Sequence, residues 1–287
     1  METTDRPDPV TLRTLSRMAQ TGEVFACLTC YDATMARLLA RAGVHVLLVG
    51  DTAAEVVLGF DKTIHMPLDL SIALTAAVKR GAPSTIVMAD MPFLSYHTGV
   101  GEAVRTAGRY LTEGLADIVK IEADASFAPV VQAMTAAGIP VCAHVGSRPQ
   151  RASLTGGYSS AGRTAEEAFR IIEDAVALEK AGAVMLLVEA VPDPVTAGIL
   201  DATRAPVIGI GAGVACHGQV LVIQDLLGMS ERPPRFARPV AALGQAITDA
   251  GRQWVQLVAS RDIGGERYTM REGEAQKFAK EQQLRKA

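Results

Sequence analysis

Four short apolar runs in this chain each end on a carboxylate: VLLVGD at Asp51, IVMAD at Asp90, DIVKIE at Glu122 and MLLVE at Glu189. An ionised carboxylate loses its hydration on burial, so several acids at the ends of apolar runs point to one shared polar site. Clustered carboxylates repel each other unless a cation stands among them. Asp51 and Asp90 are therefore candidate metal ligands, with Glu122 binding directly or through water. Oxygen donors without a matching His or Cys set favour Mg2+ or Mn2+ over zinc. The alternative is that these acids cap the following helices or pair with Lys and Arg.

Lys120 stands two residues before Glu122, on the same face of the same run. Such a lysine is either a Schiff-base nucleophile or a fixed cation for a substrate carboxylate. Neighbouring acids stabilise its charge, which favours the fixed cation. His144 closes the run PVCAHV and is the histidine best placed for the site; His45, His65, His97 and His217 fall at run starts or in loops. Glu189 is separate from the metal candidates and suits a general base if its surroundings raise its pKa towards neutrality.

Elements that position these residues follow from the alternation of apolar runs and amphipathic stretches. Expected strands are 24–30, 45–50, 85–90, 117–122, 140–145, 184–189, 206–210 and 221–224, after a helix at about 10–20. Runs of four to eight apolar residues suit strands buried on both faces, as in a parallel sheet. Helical patterns lie between them, and several stop on Gly. Eight strand–helix repeats predict a closed (β/α)8 TIM barrel, whose active site is the mouth at the strand C-termini. The runner-up is an open doubly wound sheet. The final segment, LVIQDLLG, is equally compatible with helix.

Two long inserts, 51–67 and 146–163, follow strand ends and would overhang that mouth. Gly209-Ile-Gly211-Ala-Gly213 departs from the dinucleotide fingerprint and leaves either a phosphate site or tight turns. The barrel domain is expected over 1–260, and 261–287 reads as a polar tail.

The 287 residues are 49% hydrophobic with a net charge of −3, which gives no electrostatic case for nucleic acid. No apolar run is long enough to span a membrane, and no signal peptide is visible, so a cytoplasmic protein is expected. Of four cysteines, Cys27 and Cys30 have C-x-x-C spacing. Alternation along a strand sends them to opposite faces, so buried thiols are expected rather than a zinc or redox pair.

Beyond these features, VGDT (49–52), GFDKT (59–63), RGAP (80–83), MADMPF (88–93), VKIE (119–122), AHVG (143–146), GGY (156–158), LLVEAVP (186–192) and PVIGIGAG (206–213) with GQVLV (218–222) stand in order. This ordered set, over roughly 25–229, resembles the ketopantoate hydroxymethyltransferase family. The resemblance implies a barrel of the phosphoenolpyruvate/pyruvate type. It also implies aldol-type transfer of a hydroxymethyl group from 5,10-methylenetetrahydrofolate to 3-methyl-2-oxobutanoate, in pantothenate synthesis. By motif position, Asp51, Asp90 and Glu122 would hold Mg2+ (or Mn2+ or Co2+). Asp51, Thr52, Asp90, Lys120 and His144 would contact the substrate, and Glu189 would remove the C3 proton. The family forms large homo-oligomers, and ALGQAITDAGRQWVQLV (242–258) offers an apolar helical face for packing. The same enolate chemistry on another 2-oxo acid, or a lyase of the phosphoenolpyruvate mutase/isocitrate lyase type, is the alternative. Thr52, Glu55, Arg148 and His217 depart from the family pattern, mostly at the mouth. They signal either a different 2-oxo acid or donor, or drift at non-contacting positions.

Overall fold

Alternating strands and helices close into a barrel in the computed structural model of this chain, which describes residues 9–286. The strands are β1 (Phe25–Thr29), β2 (Val46–Val49), β3 (Ile86–Asp90), β4 (Ile118–Glu122), β5 (Val141–Gly146), β6 (Met185–Glu189), β7 (Val207–Ile210) and β8 (Gly218–Leu221). Each pairs in parallel with its sequence neighbours, and β1 pairs with β8. Closure excludes the open doubly wound sheet, because no strand is left at an edge.

The helices α1 (Leu12–Thr21), α2 (Ala33–Arg41), α3 (Leu68–Gly81), α4 (Val100–Thr112), α5 (Ala128–Ala136), α6 (Ala165–Lys180) and α7 (Asp193–Ala202) match the amphipathic stretches. Thr11 caps α1 through a capping box with Thr14, and Gly22 ends it in a left-handed conformation. Leu15 and Met18 of α1 are buried in one cluster with Cys27, Val46, Ile86, Ile118, Cys142, Met185, Ile208 and Val220. These strand residues share one parity and fill the barrel interior, and α1 plugs its N-terminal end. The opposite parity packs under the helices: Leu47, Val49 and Val87 join Cys30 and Ala36 of the outer layer. Cys27 and Cys30 thus occupy different layers, and all four cysteines are free and buried.

The eighth strand differs from expectation. It runs Gly218–Leu221, three residues before the expected start, and Ile223–Leu226 is a helical turn. The register pairs Gly218 with Phe25, and a side chain at 218 would strike the Phe25 ring. Gly218 therefore reads as a turn locally but is a strand residue because barrel closure needs a flat approach there.

The chain divides into two units, Met1–Ala241 and Ala242–Ala287. This division is earlier than the 260/261 boundary read from the polar tail. The second unit contains α8 (Leu243–Ser260) and α9 (Glu274–Leu284), neither of which buries a residue. Ile247, Trp254, Val255 and Val258 of α8 are exposed. No helix among the described residues is long and apolar enough to cross a membrane.

Candidate active site

At the C-terminal mouth of the barrel lies a cavity of about 860 Å³. Thr29, Gly50, Asp51, Asp90, Lys120, Glu122, His144 and Glu189 all line it. Parity explains the convergence. Asp90, Lys120, Glu122, His144 and Glu189 continue the inward rows begun by Met88, Ile118, Cys142 and Leu187.

Strand register then sets who meets whom. Asp90 of β3 is paired with Lys120 of β4, and Glu122 of β4 with His144 of β5. Lys120 Nζ donates to Asp90 Oδ2 at 2.6 Å, with both side chains almost fully buried. The Asp51 backbone N–H reaches the same Asp90 oxygen at 3.4 Å. Burial lowers the Lys120 pKa, but the carboxylates of Asp90, Asp51 and Glu122 outweigh it and hold the ammonium charged. A charged amine is the wrong state for imine formation, so the geometry favours the fixed cation.

Burial and then Asp90 push the Asp51 carboxyl up, while Lys120 and a hydrogen bond from Gln150 pull it back. Glu122 is driven well up as well, by burial first and then by Asp51. Three carboxylates therefore share one ammonium in a low-dielectric site. Asp90 Oδ1 is buried without any hydrogen-bond partner. An orphaned carboxylate oxygen beside two acids resisting ionisation fits a hard divalent cation. Among the described residues, no group of three His, Cys, Asp or Glu side chains is already assembled around one point. Such a donor set suits Mg2+, which keeps waters and substrate oxygens in its shell, better than a closed zinc site.

Glu189 and His144 form a second group. His144 Nε2 is 3.3 Å from Glu189 Oε2, and neither ring nitrogen has an aligned hydrogen bond. Burial first, and then the positive charges of Lys120 and Arg148, hold the His144 pKa well below its usual value, so the ring is neutral. Burial raises the Glu189 carboxyl to about 7, with Lys120 opposing. About a fifth of the Glu189 side chain still faces the cavity. Beside it, Gly146 ends β5 with φ +93, and a Cβ there would fall 2.6 Å from the Glu189 carbonyl oxygen. That close approach lets Ser147 N donate to Glu189 O at 2.9 Å, which ties the start of the second insert to β6.

The two inserts meet over the mouth, as their placement predicts. Tyr158 donates to Glu55 at 2.8 Å, and Lys62 Nζ approaches Ser153 Oγ at 3.5 Å. Thr52 shares a 2.7 Å hydrogen bond with Tyr31. Arg148 turns away from the cavity to Asp124, at 2.7 Å. His217 is no mouth residue: it precedes β8 at the opposite end of the barrel, where its Nδ1 accepts from Val207 N at 3.0 Å. The Gly209–Gly213 segment offers no free anion cradle, since the Phe236 ring packs on Gly211 and the Asp193 carboxylate lies against Gly213.

Residues that sequence reasoning missed come from loops. Gln150 Nε2 donates to Asp51 Oδ2 at 2.9 Å and to Met91 O at 3.0 Å. Its backbone N–H is shared between Glu122 Oε1 and Oε2 at 3.2 and 3.1 Å. Tyr96 donates to Gln150 Oε1 at 2.8 Å and accepts from Glu122 N at 3.1 Å. Nothing local in SRPQRA distinguishes this glutamine from a solvated one. Farther out, Arg163, Arg232 and Arg235 line the cavity with no ion-pair partner among the described residues.

Comparison with known proteins follows the same lines. The profile of one family, described as ketopantoate hydroxymethyltransferase, matches residues 9–265. A curated relative from Shouchella clausii, named 3-methyl-2-oxobutanoate hydroxymethyltransferase, is 43% identical over 260 residues, covering 90% of this chain and 93% of its own. Among solved structures, phosphonopyruvate hydrolase in complex with oxalate and Mg++ superposes with a TM-score of 0.60 at 14% identity, over 96% of each chain. For 2,3-dimethylmalate lyase, a member of the PEP mutase/isocitrate lyase superfamily, the TM-score is 0.59 at 18% identity, over 97% of this chain and 98% of that one. These two likenesses show a shared fold, the closed barrel of eight parallel strands.

Proposed function

The chain belongs to the ketopantoate hydroxymethyltransferase family, and on that premise we propose how its residues transfer a hydroxymethyl group from 5,10-methylenetetrahydrofolate to 3-methyl-2-oxobutanoate. The observation that carries the reading is the division of the mouth into two groups. One is a carboxylate group around Lys120, and the other is the Glu189–His144 pair. The first suits charge stabilisation and the second proton removal.

Asp51 and Asp90 are the residues that would hold a divalent cation, with Glu122 reaching it through water. Both Glu122 oxygens already accept from Gln150 N. A cation held there, Mg2+ by its donors, would supply Lewis-acid stabilisation of negative charge on the substrate. Lys120 and the Thr52 hydroxyl bind the substrate carboxylate, and the ammonium offsets the charge of the acids around it. Glu189 removes the C3 proton on the other side of the cavity. The neutral His144 ring lies beside it, 3.3 Å from Oε2, and adds no charge that would lower its basicity. The C3 electron pair then forms the new C–C bond to the one-carbon unit as its two bonds to the folate nitrogens break. In the net reaction one water supplies the hydroxyl, its remaining proton and the C3 proton go to those nitrogens, and tetrahydrofolate leaves. Arg163, Arg232 and Arg235 support an anionic co-substrate, because the glutamyl tail of a folate carries carboxylates to the outer cavity.

A substrate panel tests the reading. The protein with Mg2+ should exchange the C3 hydrogen of 3-methyl-2-oxobutanoate with deuterium in the absence of folate. It should yield 2-dehydropantoate when 5,10-methylenetetrahydrofolate is added. Exchange on a different 2-oxo acid with no folate-dependent product would replace this function by the lyase-type alternative.

Self-association belongs to the same proposal, since Ile247, Trp254, Val255 and Val258 leave an apolar face on α8. Light scattering at micromolar concentration should return several times the 30.2 kDa of one chain. A monomer would remove the oligomer from the proposal.

A further inference from the structure

Gln150 is a neutral side chain in a place where charge dominates, and both polar atoms of its amide as well as its backbone N–H are used. Its amide nitrogen donates to Asp51 Oδ2 and to the Met91 carbonyl, and its amide oxygen accepts from Tyr96. Its backbone N–H donates to both oxygens of Glu122. The Met91 carbonyl can only accept, so the network itself fixes which way round the amide lies. Gln150 is 4% exposed, yet its neighbour Arg151 on the same turn is exposed. A loop residue driven into a barrel mouth and fully hydrogen-bonded there must be held by the partners it meets.

We propose that Gln150 is a positioning residue: it fixes the Asp51 and Glu122 carboxylates for the divalent cation and thereby couples the loop over the mouth to metal binding. The proposal rests on the metal reading given above. With Oδ2 of Asp51 engaged by Gln150 and Oδ2 of Asp90 engaged by Lys120, each aspartate has one oxygen left for the cation. A Lys or Arg at this position would also bind Asp51, but its charge would repel the metal. An amide orients the carboxylate without that repulsion. Tyr96 completes the device, because its hydroxyl holds the Gln150 amide oxygen and the Glu122 backbone together. Metal ligands are commonly oriented in this way by hydrogen bonds from residues behind them.

The test measures Mn2+ binding to the protein without substrate, from the electron paramagnetic resonance signal of free Mn2+. Gln150→Met keeps the length of the side chain and removes its donors. It should weaken Mn2+ binding by about 10- to 100-fold, the range for residues that orient metal ligands. Tyr96→Phe should weaken it less, since Gln150 remains. At limiting Mn2+ the C3–H exchange of Gln150→Met should be depressed, and excess Mn2+ should restore most of it. Thr196→Val removes a buried hydrogen bond to Ala212 O elsewhere in the barrel and controls for lost stability; it should bind Mn2+ like the wild type. Unchanged Mn2+ affinity in Gln150→Met, or equal weakening in Thr196→Val, would overturn the positioning role alone. A wild-type protein that binds no Mn2+ would overturn the metal reading and this inference with it.

Discussion

Glu189→Gln should retain the barrel and bind both Mg2+ and 3-methyl-2-oxobutanoate, yet lose C3–H exchange by about a hundredfold or more, the scale of a general base. The substitution preserves shape and removes only the proton acceptor. Folate-free exchange isolates proton removal from one-carbon transfer. The pH profile gives a second signature. Burial raises the Glu189 carboxyl from the ordinary glutamate range to about 7, against the opposing pull of Lys120. Below that pH the folded protein holds the carboxyl protonated, and the base is absent. Exchange should therefore rise with pH and level off above about 7, with a bound divalent cation moving the limb lower. Glu189→Gln should abolish this limb. Wild-type exchange rates in the variant would mean that the base lies elsewhere, and His144 would be the next group to examine.

Asp90→Asn is expected to cost more. Asp90 anchors Lys120 through Oδ2, and its unpartnered Oδ1 is the best-placed free oxygen for a cation. The amide keeps the volume but removes the charge that binds the metal and fixes the ammonium. Loss of the Lewis acid alone removes several kcal/mol of transition-state stabilisation. A loss of about 4 kcal/mol corresponds to about a thousandfold in rate. Activity should therefore fall by about that factor or more, and raised Mg2+ should recover little of it. Wild-type protein stripped with a chelator should show the same loss and regain activity when Mg2+ returns. Full turnover by chelated protein would overturn the metal assignment. A variant of normal activity would remove Asp90 from the metal assignment.

How far the site was legible in the sequence depends on where each residue sits. Asp90, Lys120, Glu122, His144 and Glu189 were found from apolar runs and period-two parity, and the barrel brings all of them to one cavity. Asp51 and Thr52 follow a strand directly, so they too were within reach. Glu55 and Arg148 were identified as departures, but their partners, Tyr158 and Asp124, were not. His217, grouped with departures that lie mostly at the mouth, instead directly precedes β8, which starts at Gly218. Neither Gln150 nor Tyr96 carried any signal.

The amino-acid sequence by itself determined the alternation of strands and helices, the closed barrel it implies, and the inward row of polar residues at the strand ends. It could do so because a strand's periodicity is local: each side chain's face follows from its neighbours two residues away. Only the tertiary structure decided which of those residues meet. Closure at Phe25 and Gly218 sets the ends of β8, and register pairs Asp90 with Lys120 and Glu122 with His144. The hydrogen bond from Gln150 to Asp51 spans 99 positions of the chain. A loop residue takes its conformation from such distant partners, and no local pattern encodes a partner that only folding brings near.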